Sequence, residues 1–396
     1  MKKLLFYCQH ILGMGHLVRS MEIVRGLISD FQVCFINGGQ IIKEFEIPHG
    51  IEVINLPAIK TDSEFKQLKP VDTSLSLAEV QEFRKNKLLQ VADEFQPDVL
   101  TIELFPFGRG KFSFELIPLL EKLQSREKPV KIVSSLRDIV VTKTNQEKYE
   151  NKVCRLMNQY FDMLLIHGDP NFITLNESFS RVKDIQSQTK YTGYVVQKPS
   201  VNSELTEEDR EIVESEQPLI LVSVGGGRFG HELIDCVIES ADILKDKIPH
   251  QIQVFTGPFS PDYKVQSWQK ITENKQNINV SRYTRNLISY MQKAELSISM
   301  SGYNTTLNVM TTGVRAMILP FKGNNDQEQR IRAGKLDSLG IVKMLDDSDL
   351  QPEIFSQKLI NYLAIKPKKL EFDFNGVENT AALVKNLVST QKVAII

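Results

Sequence analysis

Residues 8–20, CQHILGMGHLVRS, set Gly13, Gly15 and His16 between an apolar run that stops at Cys8 and a second apolar pattern with helical spacing. Glycines at such a turn permit positive φ and let a ligand come close to the main chain. The helix that follows offers unpaired N–H groups and the positive end of its dipole, which suits phosphate. The spacing is not GxGxxG, so a dinucleotide is not implied. A tight strand-to-helix turn accounts for the same residues, and at this point both readings stand. An unperturbed imidazole titrates near pH ~6.5, so a neutral ring able to accept a proton is available at pH 7.

Three turns in the second half repeat the theme. In SVGGGRFGHEL (residues 223–233), Gly225, Gly226 and Gly227 end an apolar run and Gly230 precedes a helical one. Bare backbone there exposes several N–H groups in a concave nest, and Arg228 adds a charge-assisted contact suited to a diphosphate. The absence of GKS or GKT excludes a P-loop. In MSGYNTTLNVMTTG (residues 300–313), Ser301 and Gly302 make the turn, and Asn304 or Thr305 is expected to cap the helix. In PFKGNNDQEQRIRAG (residues 320–334), Asp326, Gln327 and Glu328 crowd a helix entry. Such groups donate to and accept from sugar hydroxyls, although acids also suit a solvated first turn.

The elements that must position these turns alternate. KLLFYC, QVCFI, IEVINL, DVLTIEL, VKIVSSL and DMLLIH read as strands, separated by helical patterns such as SLAEVQEFRKNKLLQVADEF, where Ser76 and Glu79 suit a capping box. The alternation lapses at residues 196–217, a polar, acidic stretch with room for one short helix. It resumes with LILVSV, QIQVF, INVSRY, LSISM and RAMILPF. This predicts an α/β chain of two doubly wound, Rossmann-like domains facing across a cleft, with ligands beyond the carboxyl ends of the strands. Their expected extents are 1–195 and 218–396 with the linker 196–217 between them, the last helix being a candidate to pack back on the first domain. The length of 396 residues agrees with two domains. A net charge of −1 provides no global field for nucleic acid. Four dispersed cysteines argue against a zinc site or disulfide framework. LLFYC is too short for a leader's apolar region and no run spans a bilayer, so a soluble, cytoplasmic protein is expected.

The chain resembles GT-B glycosyltransferases of the family 28 type, which includes the lipid-linked N-acetylglucosaminyltransferase of peptidoglycan synthesis, and within them a bacterial group of predicted glycosyltransferases. The resemblance rests on CQHILGMGHLVRS, PDVLTIELFPFGRGKFSFELIPLLE, SSLRDI, YTGYV, SVGGG and SMSGYNTTLNVMTTGVRAMILPF. It implies a nucleotide-sugar donor, UDP-linked, held by the C-terminal domain. Gly225, Gly226, Gly227 and Arg228 then lie near the diphosphate. Ser301, Gly302, Asn304, Thr305 and Thr306 form a second phosphate-facing helix start. Asp326, Gln327 and Glu328 hold sugar hydroxyls, and Thr284 lies where backbone meets the nucleobase. Asn308 stands where such enzymes commonly carry a ribose-binding glutamate, and an amide there hydrogen-bonds without charge assistance.

GHLVR is similar to the GHxxP motif of GT-B enzymes acting on small acceptors, with Arg19 in place of proline. In that motif the histidine deprotonates the acceptor hydroxyl. Glu103 matches the position of a carboxylate that orients it, and Gly13, Gly15, Arg137 and Asp138 fall on the acceptor side. Competing roles remain: His16 as a helix cap or phosphate contact, Glu103 as the structural partner of Arg109 or Arg137, Asp138 as a rival acid, His10 as a rival base. The implied reaction is inverting transfer to a hydroxyl, with a histidine base and main-chain stabilisation of the leaving group. Neither a metal nor a cofactor beyond the nucleotide sugar is expected. The aromatic–basic loop FPFGRGKFSF either packs into the core or touches the inner membrane face beside a lipid acceptor; small-molecule and peptide acceptors are also open. The alternatives are a nucleotide-sugar 2-epimerase, which would need further acids, and a non-catalytic GT-B-fold partner protein, toward which Asn308 alone points.

Overall fold

The computed structural model describes residues 1–11, 15–42, 45–61, 67–197, 205–321, 323 and 327–389. They divide into two compact units, Met1–Val196 with Phe372–Ile396, and Gln197–Glu371. Gly13 and Asp326 lie outside the described residues.

The first unit is built on a seven-stranded parallel sheet. Its strands are β1 (Lys2–Cys8), β2 (Phe31–Asn37), β3 (Glu52–Asn55), β6 (Val99–Glu103), β7 (Lys131–Arg137), β8 (Met163–His167) and β9 (Gln188–Tyr191), in the order β3-β2-β1-β6-β7-β8-β9. A short antiparallel pair, β4 (Ile59–Thr61) and β5 (Leu68–Pro70), stands apart. The helices are α1 (Gly15–Leu27), α2 (Leu77–Phe95), α3 (Ser113–Gln124) and α4 (Gln146–Tyr160), with α12 (Gly376–Ser389) returning from the chain's end. Leu4 to Cys8 are all fully buried, the mark of a central strand covered on both faces. One face packs on α2, α3 and α4 and the other on α1 and α12. The expected capping box opens α2: Ser76 accepts from the Glu79 N–H and the Glu79 carboxylate from the Ser76 N–H. Phe105, Phe107 and Phe112 are fully buried, Phe107 against Phe179 at 5.1 Å. Their apolar area drives them inward beside α3 and α4, so these rings form core and not a membrane anchor.

The return of α12 depends on bare backbone. A Cβ on Gly376 would lie 2.5 Å from the Tyr194 carbonyl group, so only glycine allows the two segments to cross this closely. The Tyr194 N–H donates to the Asp373 carbonyl at 2.7 Å, and Asn379 donates to the Thr192 carbonyl at 2.8 Å.

The second unit carries a six-stranded parallel sheet in the order β12-β11-β10-β13-β14-β15. The strands are β10 (Leu219–Ser223), β11 (Gln251–Phe255), β12 (Ile278–Ser281), β13 (Leu296–Met300), β14 (Ala316–Leu319) and β15 (Lys343–Met344). The helices are α5 (Glu207–Val213), α6 (His231–Lys245), α7 (Asp262–Thr272), α8 (Leu287–Lys293), α9 (Tyr303–Thr312), α10 (Glu328–Ser338) and α11 (Pro352–Leu363). All four cysteines are buried free thiols.

A buried ionic hub fixes the first unit's turns. Arg84 of α2 donates from Nε and Nη2 to both oxygens of Glu115, at 2.8 and 2.6 Å, and to Gln9 Oε1 at 2.7 Å. It also donates to the carbonyls of Gly38 and Pro57 at 2.9 and 2.8 Å. Removing one partner of a buried pair leaves an uncompensated charge. Arg84→Met is therefore expected to lower the unfolding free energy of this unit by about 3–5 kcal/mol in a urea titration. A loss below about 1 kcal/mol would mean the hub is not structural.

Candidate active site

In the first unit, parallel pairing sets the carboxyl ends of β1, β6 and β7 side by side. β6 ends on Glu103 and β7 on Arg137, while His16 occupies the first turn of α1, beyond the end of β1. Glu103 is fully buried, and its Oε1 meets His16 Nδ1 at 2.7 Å. Arg19, one helical turn after His16, donates to the same oxygen. Arg109 Nη2 stands 3.9 Å from the other oxygen, Oε2. Arg137 Nη2 lies 3.4 Å from His16 Nε2.

These contacts select the imidazole tautomer. An ionised carboxylate only accepts, so Nδ1 carries the proton and the Nε2 lone pair accepts from Arg137 Nη2 at 3.4 Å. Burial pushes His16 below the ordinary imidazole value; Glu103 opposes this, the charges of Arg109 and Arg137 add to it, and the ring settles at about 3. Burial alone would raise the Glu103 carboxyl, but His16, Arg19 and Arg109 outweigh it and hold it at about 2. The side chain of His16 is 18% exposed against 0% for Glu103, so the ring is the part of the pair that solutes reach.

The other first-unit residues are placed as follows. Gly15 is the exposed first residue of α1. Asp138 is buried and accepts from the Ile139 N–H at 2.9 Å and the Tyr194 hydroxyl at 3.2 Å. His10 is buried against Asn37, 3.1 Å from Nε2, and a Cβ on Gly39 would collide with its ring. That packing leaves His16, not His10, as the reachable imidazole.

In the second unit, the glycine turn after β10 packs directly on the turn after β11. Gly225, Gly227 and Gly257 have φ of 65°, 82° and 90°. A Cβ on Gly227 would lie 2.3 Å from the Thr256 carbonyl oxygen, and one on Gly257 would lie 2.4 Å from that of Gly225. The carbonyls of Gly226 and Gly227 are turned inward, accepting from the Phe259 N–H at 2.9 Å and the Ser260 hydroxyl at 3.0 Å. Arg228 lies with its guanidinium 4.7 Å from the Phe259 ring, and burial depresses its pKa.

Gly302, not Asn304 or Thr305, is the N-cap of α9, with no side-chain capping bond. The expected cap is thereby corrected: the helix starts two residues earlier, because Gly302 at φ −61° and ψ 151° already leads into it. Asn304 and Thr305 sit in the first turn, and a Cβ on Gly302 would meet nothing within 4 Å. Ser301 is tied back through its N–H to the Leu319 carbonyl at 2.9 Å. Thr306 and Asn308 are buried on the inner face of α9. Gln327 is the N-cap residue of α10, and Glu328 is buried, 3.1 Å from Arg332.

Thr284 is buried and donates to Asp209 at 3.0 Å; Asn286 and Tyr290 bind the same carboxylate at 2.7 and 2.9 Å. Asp209 thereby pins α5 to the loop before α8. Sequence reasoning missed its role and that of Arg19, whereas Arg109 was weighed there as a partner of Glu103. Of the two missed, only Arg19 left a signal, its three-residue spacing from His16.

Residues 219–383 match the sequence model described as the glycosyltransferase family 28 C-terminal domain. Among curated proteins, the chain is similar to UDP-N-acetylglucosamine--N-acetylmuramyl-(pentapeptide) pyrophosphoryl-undecaprenol N-acetylglucosamine transferase of Haemophilus influenzae (strain PittEE), 24% identical over 189 residues. That alignment covers 46% of this chain, and the chain spans about half, 52%, of that relative's length. The same enzyme of Buchnera aphidicola (subsp. Acyrthosiphon pisum, strain Tuc7) is 28% identical over 137 residues, 34% of this chain and 37% of that one. Among solved structures, MurG of Acinetobacter baumannii superposes with a TM-score of 0.56 at 15% identity, covering 98% of this chain and 100% of that one. A UDP-glucosyltransferase from Polygonum tinctorium capable of glucosylating indoxyl gives 0.61 at 13% identity, covering 99% and 96%. The fold is GT-B, and residues 219–383 are similar to a family 28 C-terminal domain. No described helix is long and apolar enough to cross a membrane.

The two shifted groups act on stability in the same sense. The unfolded chain protonates His16 near 6.5 and Glu103 near 4.5, whereas the folded chain does so only near 3 and 2. The unfolded state therefore binds more protons between these limits, and stability falls as pH drops from 6.5 toward 2. The urea midpoint is expected to fall between pH 7 and pH 4, and His16→Asn to flatten that fall. An unchanged slope in the variant would show that His16 is not held neutral.

Proposed function

We propose that this chain, with its GT-B fold and its similarity to a family 28 C-terminal domain, is an inverting, metal-independent glycosyltransferase. It moves a sugar from a nucleoside-diphosphate sugar, UDP-linked, to an acceptor hydroxyl. The observation that carries the reading is the 2.7 Å contact between His16 Nδ1 and Glu103, which leaves Nε2 as the base on the exposed part of the pair. Glu103 orients the ring; Nε2 takes the hydroxyl proton as the acceptor oxygen bonds to the anomeric carbon and the bond to the diphosphate breaks. Attack opposite the leaving group inverts that carbon.

Uncharged main chain meets the leaving group. The glycine nest at Gly225, Gly226 and Gly227 and the uncapped start of α9 at Gly302 supply N–H groups toward developing negative charge. Gln327 and Glu328, at the entry of α10, are suited to sugar hydroxyls, and Asn308 to the ribose. The names of the curated relatives specify UDP-N-acetylglucosamine as donor and an acceptor linked to pyrophosphoryl-undecaprenol. UDP-N-acetylhexosamines are accordingly the first donors to assay, with lipid-linked and soluble acceptors in parallel, and a lipid acceptor would bring the protein to a membrane face.

Two substitutions separate base from donor site. His16→Ala is expected to reduce turnover by about 10²–10⁴-fold while the rise in Tm on adding UDP is kept. Gly302→Ala places a methyl where the structure has open space, so folding is kept and UDP binding weakens by about tenfold, or about 1.4 kcal/mol. Near wild-type turnover in the first variant would refute the base; wild-type UDP affinity in the second would refute the donor site.

A further inference from the structure

Around His16 the carboxyl edge of the first sheet gathers three guanidiniums and one carboxylate close to the ring. Glu103 Oε1 already serves His16 and Arg19. Arg109 stops 3.9 Å short of Oε2, beyond hydrogen-bond reach. Its side chain is only 10% exposed, yet Nε and Nη2 are buried without a hydrogen-bond partner among the described residues. A guanidinium that served only to balance Glu103 would close to a direct contact and satisfy both its own donors and Oε2. Arg19 performs that service, and Arg109 does not.

The turn after β6 holds Arg109 in place. Its φ is 59°, unusual for a residue with a side chain, and the Phe112 N–H closes on its carbonyl at 2.8 Å. Arg137 stands on the other side of the ring's chemistry, with Nη2 3.4 Å from His16 Nε2. Asp138, the next carboxylate in the chain, accepts from Tyr194 and its own turn.

We infer that Arg109, assisted by Arg137, binds an oxyanion beside His16, and that the acceptor carries a phosphate ester or carboxylate within one or two carbons of its attacking hydroxyl. This rests on the reading of His16 as the base. Arg137 sets the spacing: its Nη2 stands 3.4 Å from Nε2, so an anion shared between Arg109 and Arg137 and the hydroxyl that gives up its proton to Nε2 belong to one small fragment. A planar guanidinium suits either anion through paired N–H groups.

The test is calorimetric titration of the full chain with inorganic phosphate, and separately with acetate, in the presence of saturating UDP. The expected result is one anion site, weakened at least about tenfold in Arg109→Gln and partly restored in Arg109→Lys, with UDP affinity unchanged in all three. Stronger binding of phosphate assigns a phosphate ester, and stronger binding of acetate a carboxylate. Arg137→Gln is the second variant should Arg109→Gln fail to fold, with weakening again expected. Wild-type anion binding in the variants, no binding of either anion to the wild type, or loss of the anion site on adding UDP would each overturn the inference. The last outcome would mean that the anion occupies the donor's own diphosphate position. Because no turnover is needed, a chain that binds the anion but not UDP would count against the donor reading alone.

Discussion

A carboxylate buried at the end of a strand organises the first unit's site. Taken out of water, Glu103 stays ionised only if the protein supplies charges and hydrogen bonds in place of hydration. It draws these from one helix and one turn: His16 and Arg19 from the start of α1, and Arg109 from the loop after β6. The two α1 residues are spaced so that both reach one oxygen, which fixes the rotation of that helix about its axis as well as its entry point. The parallel sheet makes the arrangement possible, since β1 and β6 are hydrogen-bonded neighbours that end at the same edge.

The second unit meets its equivalent demand without buried charge at the turn. Its constraint is steric. Gly225, Gly227 and Gly257 belong to two turns pressed together so closely that any side chain on Gly227 or Gly257 would strike the other turn's backbone. Positive φ at all three lets the chain reverse in so little space. The carbonyls of Gly226 and Gly227 are bonded inward, to the Phe259 N–H and the Ser260 hydroxyl. At α9 no side chain caps the first turn, and nothing fills the space in front of Gly302.

Much of this was legible in the sequence because it is periodic or local. Buried parallel strands such as KLLFYC and LILVSV stand out as apolar runs, and the Ser76–Glu79 box is four residues long. The strands missed were those too short to show a period: β4 and β5 at three residues each, β9 at four and β15 at two. The α9 cap was misread because propensity favours Asn or Thr, whereas a glycine with ordinary φ does the work here. FPFGRGKFSF was ambiguous because an aromatic loop looks the same whether it faces water or core; the helices packed on it decide. At the site, His16 and Glu103 came from resemblance, since 87 positions separate them and no spacing rule joins them. Arg109 entered only as a candidate partner of Glu103, and Asp209 had no signal at all, because its partners are set by tertiary structure.

Arg19 shows how a departure from a motif alters chemistry. With only Glu103 beside it, a histidine would be pulled toward its protonated form and could not accept a proton near neutrality. Arg19 shares the carboxylate oxygen with His16, and Arg109 and Arg137 set their positive charge against the ring. The pull is cancelled while the hydrogen bond that orients the ring remains. A ring held neutral by burial, with the charges of Arg109 and Arg137 adding to it, is a weaker base in the resting protein than a free imidazole. It becomes a better one when negative charge arrives next to it, because the anion stabilises the imidazolium that proton transfer creates. On the proposed reading, the arginines that help burial keep His16 neutral also tie its basicity to occupancy by a charged partner.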